Sequence, residues 1–240
     1  MKYTQNSSLN DYYKNKFVEN KNIRTEYGNS DLSFDFFINQ NVPKNSKILE
    51  VGCNTGTLTN RLFNEGYKNI IAIDVNSESI KYGREKYPDI ASLISSYDGE
   101  KLDFSDESFD FVISFDVIEH IPDVHKHFLE VNRVLRKDGK YIFQTPNKYI
   151  NTIWMLVNNK TFHNLYLEHC SLQSYFTLKR LIRKTGFTLI YIGKHRLLND
   201  YNKTKVEKKF GKFGLILLSI FQKLPIIIYP NFWVVVSKGN

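Results

Sequence analysis

Lys47-Ile-Leu-Glu-Val-Gly-Cys-Asn-Thr-Gly56 joins a short apolar run, a carboxylate and a turn that contains two glycines. A short apolar run bounded by turn residues is typical of a parallel strand covered on both faces, so Ile48 to Val51 are predicted to form one. In the segment that follows, Leu58, Leu62 and Phe63 recur at helical spacing. The stretch therefore predicts a strand, a tight turn and a helix.

The same alternation of strand and helix continues along the chain. Apolar runs predict seven strands, at 48–51, 70–74, 91–94, 109–115, 140–145, 187–192 and 231–237. Helical spacing and capping residues predict helices at 32–39, 56–65, 77–86, from Asp123, and from Ser174 or Thr177. Alternation with short connections predicts an α/β fold with a doubly wound, mostly parallel sheet. Ligands bind at one edge of such a sheet, where the strands end.

The composition fits one globular domain of 240 residues, 42% of them hydrophobic. The formal net charge of +8 is spread along the chain, which favours a solvated basic surface. The alternative is an anionic partner, such as a phosphate-bearing substrate or an acidic membrane surface. The first residues contain no apolar core of signal-peptide length, and two cysteines do not indicate a disulfide framework. We therefore expect a reducing cytoplasm.

The opening turn has the residue types that a close approach to a ligand requires. Gly52, Asn54 and Gly56 lack a large side chain or tolerate a positive φ. Glu50 and Asp74 each end a predicted strand, and their carboxylates can accept hydrogen bonds from an ammonium and from ribose hydroxyls. The nicotinamide fingerprint G-x-G-x-x-G is absent, because the two glycines stand four residues apart. Taken alone, the turn leaves open a nucleotide ligand or two loop-capping carboxylates.

Several short motifs stand in the order and approximate spacing of the class I S-adenosylmethionine-dependent methyltransferases. They are Val-Gly52-Cys-Asn-Thr-Gly56, Ile73-Asp74, Asp98-Gly-Glu-Lys-Leu102, Phe109-Asp110, Val117-Ile-Glu-His-Ile121, Leu135-Arg-Lys-Asp-Gly139 and Thr145-Pro-Asn147. The chain resembles that family over residues 30–195. The resemblance implies a Rossmann-like methyltransferase fold with an antiparallel last strand, and S-adenosylmethionine as cofactor. Asn54 departs from the pattern, since the family usually has glycine there.

The resemblance also implies a role for each residue of the cofactor site. Glu50 would face the methionine amino group, and Asp74 would hold the ribose hydroxyls. The turn between them, with Gly52, Cys53, Asn54 and Gly56, would lie under the methionyl part. The remaining predicted contacts are Val75, Asp98 and Gly99 at the adenine, and Phe115 and Asp116 at the sulfonium.

Two histidines, His120 and His169, are the candidates for catalysis. A hydroxyl acceptor must lose a proton, which His120 or a metal-bound group could take. Asp116, Glu119 and His120 stand at i, i+3 and i+4, so a helical turn would bring them together. With His169, and with His163 in the same loop, this pattern is similar to ubiquinone-type O-methyltransferases and small-RNA methyltransferases, which hold a divalent cation there. The resemblance thus implies a cation such as Mg²⁺, and the alternative is a histidine that packs locally.

The first thirty residues are polar and aromatic, and they predict an N-terminal helical or lid segment at residues 1–30. The resemblance implies a methyltransferase domain at residues 31–240. We expect substrate-side insertions at 147–176 and 196–230; the alternative for the aromatic-rich stretch 147–169 is further hydrophobic core. Residues 203–229 combine lysines with an apolar run that Gln222, Lys223 and Pro225 interrupt before it reaches membrane-spanning length. A helix packed on the sheet edge, a peripheral membrane contact and a homodimer contact are the three alternatives for this segment.

The predicted function is transfer of a methyl group to a hydroxyl of a small molecule, a glycan or a lipid-linked precursor. Methylation of nitrogen or of RNA is the alternative among enzymes, and an inactive cofactor-binding scaffold is the alternative outside them. Neither Asn-Pro-Pro-Tyr nor Asp-Pro-Pro-Tyr follows the fourth strand, which argues against methylation of an adenine amino group. We therefore expect no nucleic-acid partner. The intact Glu50, Gly52 and Asp74 argue against a scaffold, and we expect a cytoplasmic protein, either free or peripheral at the membrane.

Overall fold

The computed structural model describes residues 30–159, 169–195, 200–223 and 225–239. Its seven strands form one sheet in the order β3-β2-β1-β4-β5-β7-β6. They are β1 (Ile48–Val51), β2 (Ile70–Asp74), β3 (Ile94–Ser96), β4 (Phe109–Phe115), β5 (Leu135–Pro146), β6 (Phe187–Gly193) and β7 (Asn231–Lys238). β1 to β5 pair in parallel, and β7 runs antiparallel to both β5 and β6. This confirms the predicted α/β class and the antiparallel last strand.

Three of the described helices begin where a side chain accepts from the free backbone N–H groups of the first turn, whereas the helix after Gly56 begins without such a bond. The described helices are α1 (Ser30–Ile38), α2 (Thr57–Asn64), α3 (Ser77–Lys86), α4 (Val124–Val134), α5 (Lys148–Asn159), α6 (Tyr175–Lys184) and α7 (Asp200–Lys223). Asp123 caps α4 as predicted, and Ser174 caps α6 in a capping box with Thr177. The N-cap of α3 is Asn76, whose side chain accepts from the backbone N–H groups of Glu78 and Ser79.

Two predicted strands have different bounds in the structure. The third strand begins at Ile94 rather than residue 91, because the preceding residues form a short 3₁₀ helix, Pro88–Ile90. The fifth begins at Leu135, which pairs with Phe109, and the register then shifts before the next pair. Asp138 takes a φ of 62° within this irregular stretch. Asp138 and Gly139 therefore lie inside β5.

Both faces of the sheet are covered, as a parallel sheet requires. On one face, α4 and α6 contribute Phe128 and Leu178 to a core that includes Val51. On the other face, α1 and α2 contribute Phe37 and Leu62 to a second core. All four residues of β1 are buried as a result. The uncovered part is the edge where the parallel strands end, and the candidate site lies there.

Parts of the predicted insertions fall outside the described residues, including most of the N-terminal segment and residues 160–168 with His163. Within the described part, α5 follows β5 directly, and α7 lies between β6 and β7. α7 is kinked at Gly211, which has φ 61° and ψ −160°. Among the described helices, none combines the length and the apolar character needed to cross a membrane.

Candidate active site

The turn after β1 is held in a conformation that only certain residues adopt without strain. Gly52, Asn54 and Gly56 have φ values of 80°, 52° and 75°. The Gly52 N–H donates to the Ile73 carbonyl at 2.7 Å, which fixes the turn against β2. A Cβ added at Gly52 would lie 2.3 Å from Val117 Cγ2, on the loop after β4. Glycine is thus required at position 52 by both its backbone angle and its neighbour.

Glu50 places a carboxylate in the buried part of the site. The side chain is only 4% exposed, and its Oε2 accepts a hydrogen bond of 2.6 Å from the Thr59 hydroxyl on α2. Burial raises the pKa of Glu50 to about 7; the Thr59 bond opposes this, and the nearby Asp74 carboxylate adds to it. An ammonium group placed beside Glu50 would restore its ionised form. The site therefore favours a cationic partner at this position.

Asp74 ends β2 and ties the two neighbouring turns together. Its Oδ2 accepts from the Asn54 N–H at 2.7 Å, and its Oδ1 accepts from the Asn76 N–H at 2.8 Å. Burial raises the pKa of Asp74, and the backbone N–H groups that it accepts from lower it in part. Each carboxylate oxygen can accept a second hydrogen bond. Asp74 thus holds the turn after β1 in place, and its oxygens can still accept hydrogen bonds from hydroxyl groups such as those of a ribose.

Cys53 and Gly83 pack within and against the turn after β1. The Cys53 side chain is buried in a small apolar cluster with Ile80 and Ile94. Burial and the two acidic neighbours raise the pKa of the Cys53 thiol. A Cβ added at Gly83 would lie 2.4 Å from the Thr55 carbonyl oxygen. The sequence analysis missed Gly83, although a glycine within a helix is a recognisable signal of close packing.

The predicted adenine end is formed by the loop after β3. Gly99 has a φ of 84°, and Asp98 Oδ1 accepts from the Glu100 and Lys101 N–H groups. The bond from Glu100 is the main cause that lowers the pKa of Asp98. The N–H of Tyr97, which the sequence analysis missed, donates to the Asp74 carbonyl at 3.1 Å. This loop is therefore joined to β2 close to Asp74 and Val75, as the predicted contacts require.

At the end of β4, Asp116 takes a left-handed conformation with a φ of 55°. Its N–H donates to Gln144 Oε1 on β5 at 3.0 Å. Gln144 is fully buried, and its Nε2 lacks a hydrogen-bond partner within the described part of the chain. Phe115 packs near Trp233, with 6.0 Å between ring centroids. A buried unpaired donor is costly, so the Gln144 amide is a candidate contact for a polar ligand atom. The sequence analysis missed Gln144.

Three side chains gather on the 3₁₀ turn Ile118–His120 and the segment that faces it. One potential ligand atom from each of Glu119, His120 and His169 lies within 4.8 Å of the other two. The rings of the two histidines are 4.8 Å apart, and Glu119 Oε1 lies 3.9 Å from His120 Nε2. Burial and the Asp116 carboxylate raise the pKa of Glu119.

The fourth predicted ligand, Asp116, is not in this group. The prediction assumed an α-helical turn from Asp116 to His120, but the turn is a 3₁₀ helix of three residues. Asp116 lies before it in the left-handed conformation, so the α-helical spacing does not apply. The structure therefore brings together three of the four predicted ligands, within the residues described.

Backbone and side-chain contacts from two later segments hold the cluster in place. The Thr145 hydroxyl donates to Glu119 Oε2 at 3.2 Å, and the Ser171 N–H donates to the Glu119 carbonyl at 3.0 Å. His169 Nδ1 lies 3.1 Å from Asn151 Oδ1 on α5. Glu119 and His169 are thus positioned by the end of β5 and by the helix that follows it.

The central part of the chain is similar to known proteins. Residues 49–143 match the family model described as a methyltransferase domain. The ubiquinone biosynthesis O-methyltransferase of Rickettsia conorii is 34% identical over 106 residues, covering 42% of this chain and 35% of that protein. The malonyl-[acyl-carrier protein] O-methyltransferase of Hahella chejuensis is 33% identical over 99 residues, covering 41% of this chain and 36% of that protein.

The matched region spans about half or less of the length of the curated relatives, between 26% and 52% for the first two. Among solved structures, an S-adenosylmethionine-dependent methyltransferase from Mesorhizobium loti has a TM-score of 0.62. It is 14% identical, and the match covers 87% of this chain and 99% of that one. The predicted resemblance is confirmed at this level: residues 49–143 match the methyltransferase domain, and the chain shares its fold with solved S-adenosylmethionine-dependent methyltransferase structures.

Proposed function

We propose that this protein transfers a methyl group from S-adenosylmethionine to a hydroxyl oxygen of a small molecule, a glycan or a lipid-linked precursor. The observation that carries the proposal is the arrangement of two sites on neighbouring strands. Glu50, Asp74 and the glycine turn form a donor site at the ends of β1 and β2. The cluster of Glu119, His120 and His169 follows β4, which pairs with β1. The pairing of β1 with β4 supports a proton acceptor beside the donor site.

The residues of the donor site fit S-adenosylmethionine in their chemistry. Glu50 would hold the ammonium of the methionyl part, which is the partner that a buried carboxylate favours. Asp74 would accept from the ribose hydroxyls with the lone pairs that Asn54 and Asn76 leave available. When bound, the cofactor supplies a methyl group whose bonding electrons stay on sulfur, so the acceptor hydroxyl has only a proton to lose.

His120 is the proposed general base for that proton. Its ring lies beside His169 and the Glu119 carboxyl, and it is partly accessible. Glu119 would stabilise the imidazolium that forms when His120 takes the proton. Gln144 would donate to a polar atom of the acceptor, since its Nε2 is buried without a partner among the described residues. The two named relatives are O-methyltransferases, and this supports an oxygen acceptor.

Binding of a divalent cation is a second proposed role of the same cluster. One carboxylate and two imidazoles form the donor set. Mg²⁺ prefers oxygen ligands, whereas imidazole suits Zn²⁺, Fe²⁺ or Ni²⁺. The described donors therefore do not fit the predicted Mg²⁺, and the proposed reaction takes no step through a metal.

Calorimetry with S-adenosylmethionine tests the donor site: micromolar to millimolar binding is expected, and its absence would refute the enzyme proposal. For catalysis, a screen of hydroxyl acceptors would report the demethylated cofactor product. His120→Ala should then lower the turnover at least about 100-fold without weakening cofactor binding.

Chelator treatment of the unmodified protein separates the two roles of the cluster. Activity that survives chelation but not His120→Ala supports the base, and activity lost on chelation and restored by Zn²⁺ or Fe²⁺ supports the metal. Activity that survives both would contradict both roles.

A further inference from the structure

The second half of α7 leaves a row of large apolar side chains exposed. Phe213, Ile216 and Ile220 are spaced by three and four residues, which places them on one side of the helix. Each is between 51% and 67% exposed. Ile227 and Ile228, on the 3₁₀ turn before β7, are also exposed. Several exposed large apolar side chains close together in the sequence are a candidate site of interaction. We call these five residues the apolar face.

The charged side chains in the stretch of sequence that carries the apolar face are of one sign, although the exposed Glu207 directly precedes this stretch. From Lys208 to Asn240 the sequence contains five lysines and neither aspartate nor glutamate. Three of these lysines, Lys208, Lys212 and Lys223, are exposed on α7. A helix with an exposed apolar side and a lysine-rich border is typical of segments that lie in the interface of an anionic membrane.

The same charge pattern disfavours a second copy of the chain as the partner. In a symmetric dimer the same patch meets itself, so the lysines that border the face would approach one another. The stretch from Lys208 onwards offers no carboxylate to pair with them. An anionic lipid surface supplies the missing negative charge and also an apolar interior for the exposed side chains.

Hydrogen bonds from Asn147 connect the apolar face to the active-site edge. Asn147 follows β5, and its Nδ2 donates to the Ile227 and Tyr229 carbonyls at 2.7 and 2.9 Å. Its N–H donates to the Pro230 carbonyl at 2.7 Å. Helix α5 begins at the next residue and exposes Ile153. Exposed apolar side chains from two separate segments therefore adjoin the end of β5, where Thr145 holds Glu119.

We infer that the apolar face and its lysines dock the protein on an anionic membrane surface, with the active-site edge beside the bilayer. The docking itself is independent of the reaction. If the proposed function is correct, the position of the face implies an acceptor that is itself lipid-linked, because such an acceptor is held where the active-site edge meets the membrane.

Flotation of the full chain with lipid vesicles tests the docking. We expect binding to vesicles of phosphatidylcholine with about 30% phosphatidylglycerol, weaker binding to phosphatidylcholine alone, and a loss of binding at high salt. Phe213→Ser, Ile216→Ser and Ile220→Ser together should lower the partition coefficient at least about tenfold. Lys208→Gln, Lys212→Gln and Lys223→Gln should each lower it about fivefold. Leu129→Ser, which changes an exposed apolar residue on α4, is the matched control and should bind normally.

The result that would overturn the inference is absence of vesicle binding, or equal binding by the wild type and the triple serine variant. Sedimentation velocity would identify the rival partner: a dimer that the serine variant dissociates, without vesicle binding, assigns the face to a second copy. Should the serine variant lose its thermal unfolding transition, the lysine variants decide the question, since they remove no apolar contact. Calorimetry measures the binding of S-adenosylmethionine in the absence of vesicles, so failure of docking and failure of the proposed function are distinguishable.

Discussion

Replacing Glu50 by glutamine is expected to stabilise the ligand-free protein and to weaken cofactor binding. Burial raises the pKa of Glu50 from 4.5 to about 7, so above pH 4.5 the folded chain retains a proton that the unfolded chain releases. The stability contributed by this group is therefore full below pH 4.5 and is lost as the pH rises through about 7. At about 1.4 kcal/mol per pH unit, the loss amounts to about 3 kcal/mol of unfolding free energy at pH 8.

Urea unfolding of the wild type and Glu50→Gln between pH 5 and pH 8 measures this difference. Glutamine cannot ionise and can still accept the Thr59 hydroxyl, so the variant should be more stable by about 3 kcal/mol at pH 8 and by about 1 kcal/mol or less at pH 5. The melting temperature at pH 8 should rise by roughly 6–12 °C. Glu85→Gln, an exposed glutamate on α3, is the control and should change stability by about 0.5 kcal/mol or less.

Calorimetry adds an independent readout of the same carboxylate. Because an ammonium favours the ionised form, cofactor binding at pH 6 should release a proton from Glu50 in the wild type and none in the variant. Loss of the charged hydrogen bond should weaken binding about 10- to 100-fold in Glu50→Gln. The reasoning is refuted if both proteins show the same change of stability between pH 5 and pH 8. Equal cofactor affinity would show that Glu50 does not hold the ammonium.

Two further substitutions test the packing that holds the turn after β1 and the loss of folding stability at acid pH. Alanine in a helix normally stabilises a protein by about 1 kcal/mol relative to glycine, but Gly83→Ala should destabilise this one by about 1–3 kcal/mol and weaken cofactor binding, because the new Cβ meets the Thr55 carbonyl. Thermal melting and calorimetry measure both effects, with Lys81→Ala as the control. A Gly83→Ala variant that is more stable than the wild type would contradict the packing argument. Burial lowers the pKa of His127 to about 4, so this residue contributes stability above pH 6.5 that is lost as the pH falls through 4. His127→Gln, which can still bond the Tyr141 hydroxyl, should reduce that acid-side loss by about 3 kcal/mol in urea unfolding, and an unchanged acid limb would rule out His127 as its cause.

The strands with the clearest apolar runs were predicted within a residue of their ends. β1, β2 and β4 are short runs covered on both faces, so their pattern depends on burial alone. The third and fifth strands were misplaced because their starts depend on other parts of the chain. β5 begins where Leu135 finds a partner in Phe109, and no local pattern around Leu135 indicates this pairing.

The residues of the proposed donor site could be selected from the sequence because they lie at or just after the ends of two predicted strands. Glu50, Gly52 and Asp74 stand on adjacent parallel strands, and parallel pairing fixes their ends on the same edge. The resemblance of the motifs to a known family then indicated the cofactor. These calls needed only the order of residues along the chain and the geometry of a parallel sheet.

Contacts between segments distant in sequence were decided by the tertiary structure alone. The packing of Gly83 against Thr55 and the bond from Asp116 to Gln144 join residues 28 positions apart, and both were missed. The cluster excludes Asp116 because a tight 3₁₀ turn replaced the α-helical turn that the spacing predicted. The sequence of α7 left three partners open, and its exposed face was visible only once the fold had shown which side the sheet covers. Local sequence thus determined the strands with clear apolar runs and indicated the candidate donor residues, whereas burial and close approach, which depend on the whole chain, decided how the candidate site is supported and what borders it.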